Sequence, residues 1–423
     1  MLGELRMLED VEEKVGRTGP LGAAYLSQVL LSKQTGLSPQ LENMRQIASR
    51  FAIDDANTGS TLGYSGYIKA LSLRLASNGF SSMNSLFHPH PYAETSGILE
   101  YDLLAAAAYM GKFSIARELS AKEGNMGLDY STMGQPQTAA AIAENTAIID
   151  LFLQQTKLHG SSVGSVLQRQ LKAASRVGSV RVVEHLLASE FNPGLGHKRD
   201  HPYFEGFHEA LSTPNVEVFD ILMRYKETTL ANNLKRHKER YSGKKETRIT
   251  PLMEAQLAPL TEAELAPLLH EAAENGWESM ASRLLDMGAP ADGYSYCRGH
   301  DEHMPLLAAC KSGSEGVVRI LLQHNANITG LEMEAAAKKG RIGTVRILLE
   351  HFADSNRGKT PPIVSAVKLE YKEMFHLLLD HGAELGEAGL MAAKEARKEG
   401  LDSMLALLEQ HGVSIGDGLV AEG

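Results

Sequence analysis

Apolar positions recur along this chain in a fixed order: a run of small residues, a Gly, then branched aliphatics at helical spacing that close on Leu-Leu. The clearest copy is Met304–Ile328, MPLLAACKSGSEGVVRILLQHNANI. Leu268–Asp292, Met333–Asp354 and Leu171–Ser189 follow the same order. Each copy predicts two short antiparallel helices. Small side chains such as Ala308-Ala309 and Ala335-Ala336-Ala337 let the first helix approach its neighbours closely. Val317, Val318, Leu321 and Leu322 mark the buried stripe of the second. Neither helix can bury its apolar face alone, so the copies must stack and share a core.

The Gly between the helices takes the left-handed conformation that ends a helix at little cost. Aligned on that slot, the copies fall at 111, 144, 178, 214, 276, 313, 340, 370 and 400, with Glu144, Pro214 and Glu370 in place of Gly. The intervals are 33, 34, 36, 62, 37, 27, 30 and 30 residues; the long one holds one repeat plus an insertion, the favoured reading, or a degenerate extra unit. At least nine hairpins are expected between Leu103 and Gly412. Residues 1–100 are less regular, with helical stretches at Leu21–Lys33, Leu41–Phe51 and Tyr67–Ala76. They form either worn-down repeats or a cap, since terminal units of a stack are atypical.

A period near 33 residues with this order resembles the ankyrin-repeat family, in the style of the divergent arrays of filamentous fungi. The likeness covers about three quarters of the chain. The family's Thr-Pro-Leu-His turn survives in pieces: Pro305-Leu306, Leu269-His270 and Thr360-Pro361. The expected fold is all-α, an ankyrin-repeat solenoid of helix-turn-helix units with an atypical helical N-terminal cap. Its segments are 1–100, the cap or degenerate repeats; 101–226, a first block of repeats; 227–262, a basic helical insertion; and 263–423, a second block.

Composition narrows the function. The 423 residues are 43% hydrophobic, which suits a continuous core, and the net charge of −10 opposes general binding to nucleic acid or anionic membranes. Two cysteines, Cys297 and Cys310, cannot build a disulfide framework and point to a reducing compartment. The N-terminal MLGELRMLEDVEEKVGR lacks the apolar core of a signal peptide, so a cytoplasmic or nuclear location is expected. Asn233–Arg248 runs against the acidic trend, with seven Lys/Arg against two Glu. It reads as a solvated helix face or as a patch for an acidic partner or nuclear import.

No catalytic motif is present in the pattern. His270-Glu271-Ala272-Ala273-Glu274 has Glu where a zincin helix needs its second His, so His270 reads as the turn histidine of its repeat. Gly194-Leu-Gly196 lacks the third Gly of a dinucleotide fingerprint. Cys297, His300 and His303 lack a fourth zinc ligand, and the sets His197–His208 and Phe87–Tyr92 read as connecting loops. No cofactor or metal is expected.

What the resemblance implies is a surface. In ankyrin proteins the connecting fingers and inner helices line a concave face that binds partners. Tyr294, Tyr296, Arg298, His300 and His303 fall on one finger, Tyr203 and Phe204 on another, and Trp277 follows a turn Gly. Tyr, Trp and Arg are the commonest interface anchors. The expected function is therefore a non-catalytic scaffold that binds a protein partner through that face. The alternatives are a transcriptional regulator or co-regulator, for example of a biosynthetic gene cluster, or an enzyme with a pocket beside the N-terminal helices.

Overall fold

The computed structural model describes residues 19–32, 37–58, 62–76, 95–122, 134–159, 162–191, 210–241, 260–293 and 304–414. Among them are twenty α-helices and no strand, in two compact units, Met1–Ala210 and Leu211–Gly423.

The first unit opens with α1 (Gly19–Ser32), α2 (Pro39–Thr58) and α3 (Gly63–Ala76), in which α1 and α2 both pack on α3. Three hairpins follow: α4 (Thr95–Met110) with α5 (Phe113–Ser120), α6 (Pro136–Ile142) with α7 (Thr146–Leu158), and α8 (Val163–Val177) with α9 (Val180–Ala188). The inner helices α4, α6 and α8 stack in that order, and α2 closes against α4.

The second unit begins with α10 (Val216–Tyr241), whose 26 residues carry the first part of the basic stretch. Five hairpins follow: α11 (Glu262–Asn275) with α12 (Glu278–Asp286), α13 (Pro305–Ser312) with α14 (Glu315–Gln323), α15 (Leu331–Lys338) with α16 (Ile342–Glu350), α17 (Pro362–Lys368) with α18 (Lys372–Asp380), and α19 (Gly386–Glu399) with α20 (Asp402–Gln410). The inner row α11, α13, α15, α17 and α19 packs helix against next helix, the arrangement of an all-α repeat solenoid.

One turn geometry accounts for every hairpin described. Gly111, Gly178, Gly276, Gly313, Gly340 and Gly400 have φ between 67° and 80°, and the two stand-ins follow them, Glu144 at 57° and Glu370 at 51°. The residue after each slot donates its N–H to an Ala carbonyl five residues back. The pairs are Lys112 to Ala107, Asn145 to Ala140, Ser179 to Ala174, Trp277 to Ala272, Ser314 to Ala309, Arg341 to Ala336, Tyr371 to Ala366 and Leu401 to Ala396, all 2.8–3.1 Å. This long back-bond satisfies a carbonyl the helix leaves open. All eight alanines are fully buried, so each is both a close helix contact and the anchor of its turn.

Pro214 departs from the expected slot. Its ring holds φ near −65°, out of reach of the left-handed region. Instead the Asn215 side chain caps α10, accepting from the N–H groups of Glu217 (2.9 Å) and Val218 (3.3 Å). His270 also differs from its expected place: it lies within α11 rather than in a turn. That helix starts early because the Glu264 carboxylate accepts the Thr261 N–H at 2.8 Å, a capping contact upstream of the usual start.

The second helices of the second unit end in the same way. Gly288, Asn325, Phe352, Gly382 and Gly412 all have positive φ, and the next residue bonds back to a buried Leu carbonyl. Phe352 stands apart, with φ 61° and a side chain 97% exposed. A left-handed non-Gly residue costs about 1–2 kcal/mol, and an exposed ring recovers none of it through burial. Phe352→Gly will therefore stabilise the second unit by roughly 0.5–1 kcal/mol after the added freedom of the unfolded chain is subtracted. The urea midpoint measures it, and a lower midpoint would show that the ring contributes to the fold.

Candidate interaction surface

The connections between hairpins of the second unit are bonded to one another. The Asp292 carboxylate accepts the Asn327 N–H at 2.7 Å and the Asn327 side-chain amide. One connection further on, the Asn356 side chain donates to the Gly382 carbonyl (3.0 Å) and accepts the Glu384 N–H (2.8 Å), while Ser355 Oγ reaches the His381 carbonyl at 3.3 Å. Asp292, Asn327, Asn356 and Glu384 are all exposed. The connections thus form two bonded pairs, Asp292 with Asn327 and Asn356 with Glu384, whose exposed side chains are held in place by their neighbours.

Two buried glutamates of α15 hold these connections to the inner helices. Glu332 accepts the N–H groups of Thr329 (2.9 Å) and Gly330 (3.0 Å), and Glu334 accepts the Lys359 N–H at 2.8 Å and the Lys338 ammonium at 2.6 Å. Burial alone would push the Glu334 carboxyl up. The bonds from Lys338 and Lys359 outweigh it and hold the group below the ordinary carboxylate value. Cys310, buried on α13, has its thiol pushed well up by burial and by nearby Glu332, so it stays protonated and unreactive.

Of the anchors expected from the sequence, Trp277 is described: it is half-buried, in the turn between α11 and α12, with its N–H bonded to Ala272. Tyr203, Phe204, Tyr294, Tyr296, Arg298, His300 and His303 lie outside the described residues, as do the His197–His208 and Phe87–Tyr92 sets and Cys297. Phe352 was not among the expected anchors. Its signal is a Phe in His351-Phe352-Ala353, where the next repeat reads His381-Gly382-Ala383.

The first unit carries a different feature. Between α2, α4 and α5 lies an open groove of about 280 Å³ with Ile47, Leu103, Ile115 and Leu119 on its floor. Its rim charges are exposed and paired, Arg50 with Glu118 (3.5 Å) and Lys122 with Glu100 (2.6 Å). Such pairs contribute little, and they leave the groove without net charge. Beside it is a tighter cluster. The Lys112 ammonium, in the turn between α4 and α5, contacts Asp55 of α2 and lies over the ring of Tyr67 of α3 at 5.1 Å. The Tyr67 hydroxyl donates to Asp55 at 2.6 Å, and both residues are almost wholly buried. This cluster joins the N-terminal helices to the first hairpin.

Among the described residues, no group of three or more His, Cys, Asp or Glu is placed to hold a metal ion, and no helix is long and apolar enough to cross a membrane. No curated protein matches the chain. Residues 301–330 match the model of the Ankyrin repeat family, over the segment that holds α13 and α14. One ankyrin repeat is therefore present, and seven further hairpins close on the same left-handed turn.

Proposed function

We propose that the protein is a non-catalytic scaffold that binds a protein partner through the concave ankyrin surface lined by its connecting fingers and inner helices. Ankyrin repeats mediate protein–protein binding, and that general role carries over. The observation that carries the finer reading is the two bonded pairs of connections, Asp292 to Asn327 and Asn356 to Glu384, which present exposed side chains on a fixed base. Tyr294, Tyr296, Arg298, His300 and His303 come soon after Asp292 and Gly293 in sequence; Tyr203 and Phe204 are expected from the sequence on another finger, and Trp277 stands at a turn. Cytoplasm or nucleus is the proposed location, in keeping with the unpaired, buried Cys310.

The test is capture of partners from native lysate. Changing Tyr294, Tyr296 and Arg298 together to Ala removes aromatic and Arg anchors that commonly contribute more than ~1 kcal/mol each. Capture is expected to fall sharply with little change in melting temperature. A control triple on the outer helices, Arg319, Arg346 and Lys372 to Gln, is expected to capture normally. Loss of capture in the control alone would overturn the assignment of the fingers.

A further inference from the structure

Lys311, Lys338, Lys368 and Lys398 occupy one structural position in four successive hairpins, two residues before the left-handed turn residues Gly313, Gly340, Glu370 and Gly400. All four are exposed. The inner helices α13, α15, α17 and α19 that carry them pack side by side in that order. At the usual 8–10 Å between packed helix axes, the four ammonium groups form a stripe roughly 25–30 Å long. This stripe runs through a protein whose net charge is −10.

The fold does not ask for lysine there. The same position holds Tyr109, Ile142 and Arg176 in the first unit and Glu274 on α11, and those hairpins close with the same turn. A cation near a helix C-terminus gains a little from the helix dipole, but that gain is indifferent to which face the helix lies on. The outer helices α14, α16, α18 and α20 carry no Lys or Arg in the last turn, and α16 and α18 end on Glu350 and Asp380. The lysines therefore follow the inner face rather than helix ends in general. Lys338 also contacts Glu334 (2.6 Å), and Lys368 contacts Glu395 (2.9 Å) and, at 4.0 Å, Glu399, whereas Lys311 and Lys398 have no ion pair among the described residues. With three donors each, Lys338 and Lys368 can still take a further carboxylate.

We propose that this stripe binds an acidic segment of a partner protein in polyproline II conformation, with a carboxylate at about every third residue. A polyproline II chain has three residues per turn and rises about 3.1 Å per residue, so every third side chain returns to the same face about 9 Å further on and keeps step with the repeats. Four such carboxylates span the stripe from Lys311 to Lys398. The proposal rests on the scaffold reading and adds the partner's chemistry to it.

The test uses the full chain and a fluorescent twelve-residue peptide with Glu at every third position and Gly or Ser between. A second peptide has the same composition with its Glu residues clustered. Fluorescence anisotropy is expected to show binding of the spaced peptide that weakens with added salt and exceeds that of the clustered one. Changing Lys311, Lys338, Lys368 and Lys398 together to Gln is expected to weaken it at least tenfold, while the outer-helix triple Arg319, Arg346 and Lys372 to Gln leaves it unchanged. Absence of binding by the unmodified protein, or equal binding by the quadruple variant, overturns the proposal. So does single-stranded DNA of equal charge bound as tightly as the spaced peptide, or self-association that the quadruple variant abolishes. If the stripe fails in any of these ways while the finger triple still abolishes capture, the scaffold reading stands without it.

Discussion

Replacing Lys112 with Met is expected to destabilise the first unit by about 3–5 kcal/mol, because it strands the Asp55 carboxylate in a site almost closed to water. The Tyr67 hydroxyl remains as a donor, but a neutral donor does not offset a buried charge. Adding Asp55→Asn in the same background is expected to restore most of the loss, since the buried group beside Tyr67 is then neutral and Asp54, 3.7 Å from the Lys112 ammonium, keeps access to water. The cluster also has an alkaline signature. The contacts with Asp55 and Tyr67 outweigh burial, which by itself would lower the Lys112 ammonium, and hold it above its ordinary value of 10.5; burial and Asp55 raise the Tyr67 hydroxyl above 10.0. A group whose folded value is raised gives stability that is complete below the unfolded value and is lost as pH rises through the folded one. The contribution is therefore intact at neutral pH and declines only above about pH 10. Urea titrations at pH 7 and pH 11 measure both effects. A Met variant as stable as the parent at pH 7 would show that the junction depends on apolar packing alone.

Ala309→Glu should have a comparable or larger effect, about 4 kcal/mol or more, in the second unit. Ala309 is fully buried on α13 against neighbouring inner helices, and its carbonyl takes both the Gly313 N–H (2.9 Å) and the Ser314 N–H (3.1 Å). A carboxylate there has no partner and no space, and the displacement it forces also loosens the turn. Thermal melting by circular dichroism is expected to show an early loss of helix. Parent-like melting would mean that α13 does not face the shared core.

Much of the fold was legible in the sequence because the signal is local and repeated. Eight of the nine aligned slots carry the left-handed turn, including Glu144 and Glu370, which no residue-by-residue rule would select. They were found because the flanking pattern held on both sides. The helices before the first hairpin were equally plain, with Leu41–Phe51 lying inside the longer α2. Pro214 failed because alignment by spacing ignores a ring that cannot adopt positive φ. The Lys112–Asp55–Tyr67 cluster was not legible: Lys112 and Asp55 are 57 residues apart in sequence, and no periodicity links them. The aromatic finger residues follow from residue type alone and lie outside the described residues, whereas Phe352 and the four lysines become visible only when the hairpins are laid over one another.

The inner row has a mechanical side. Each inner helix of the second unit leans chiefly on the one before and the one after it. Pulled from its ends, such a row parts one hairpin at a time rather than all at once. Each release of about 33 residues lets out roughly 110 Å of chain at full extension. A partner seated across several hairpins would bridge those parting lines, so the load needed to peel the row would rise when the face is occupied.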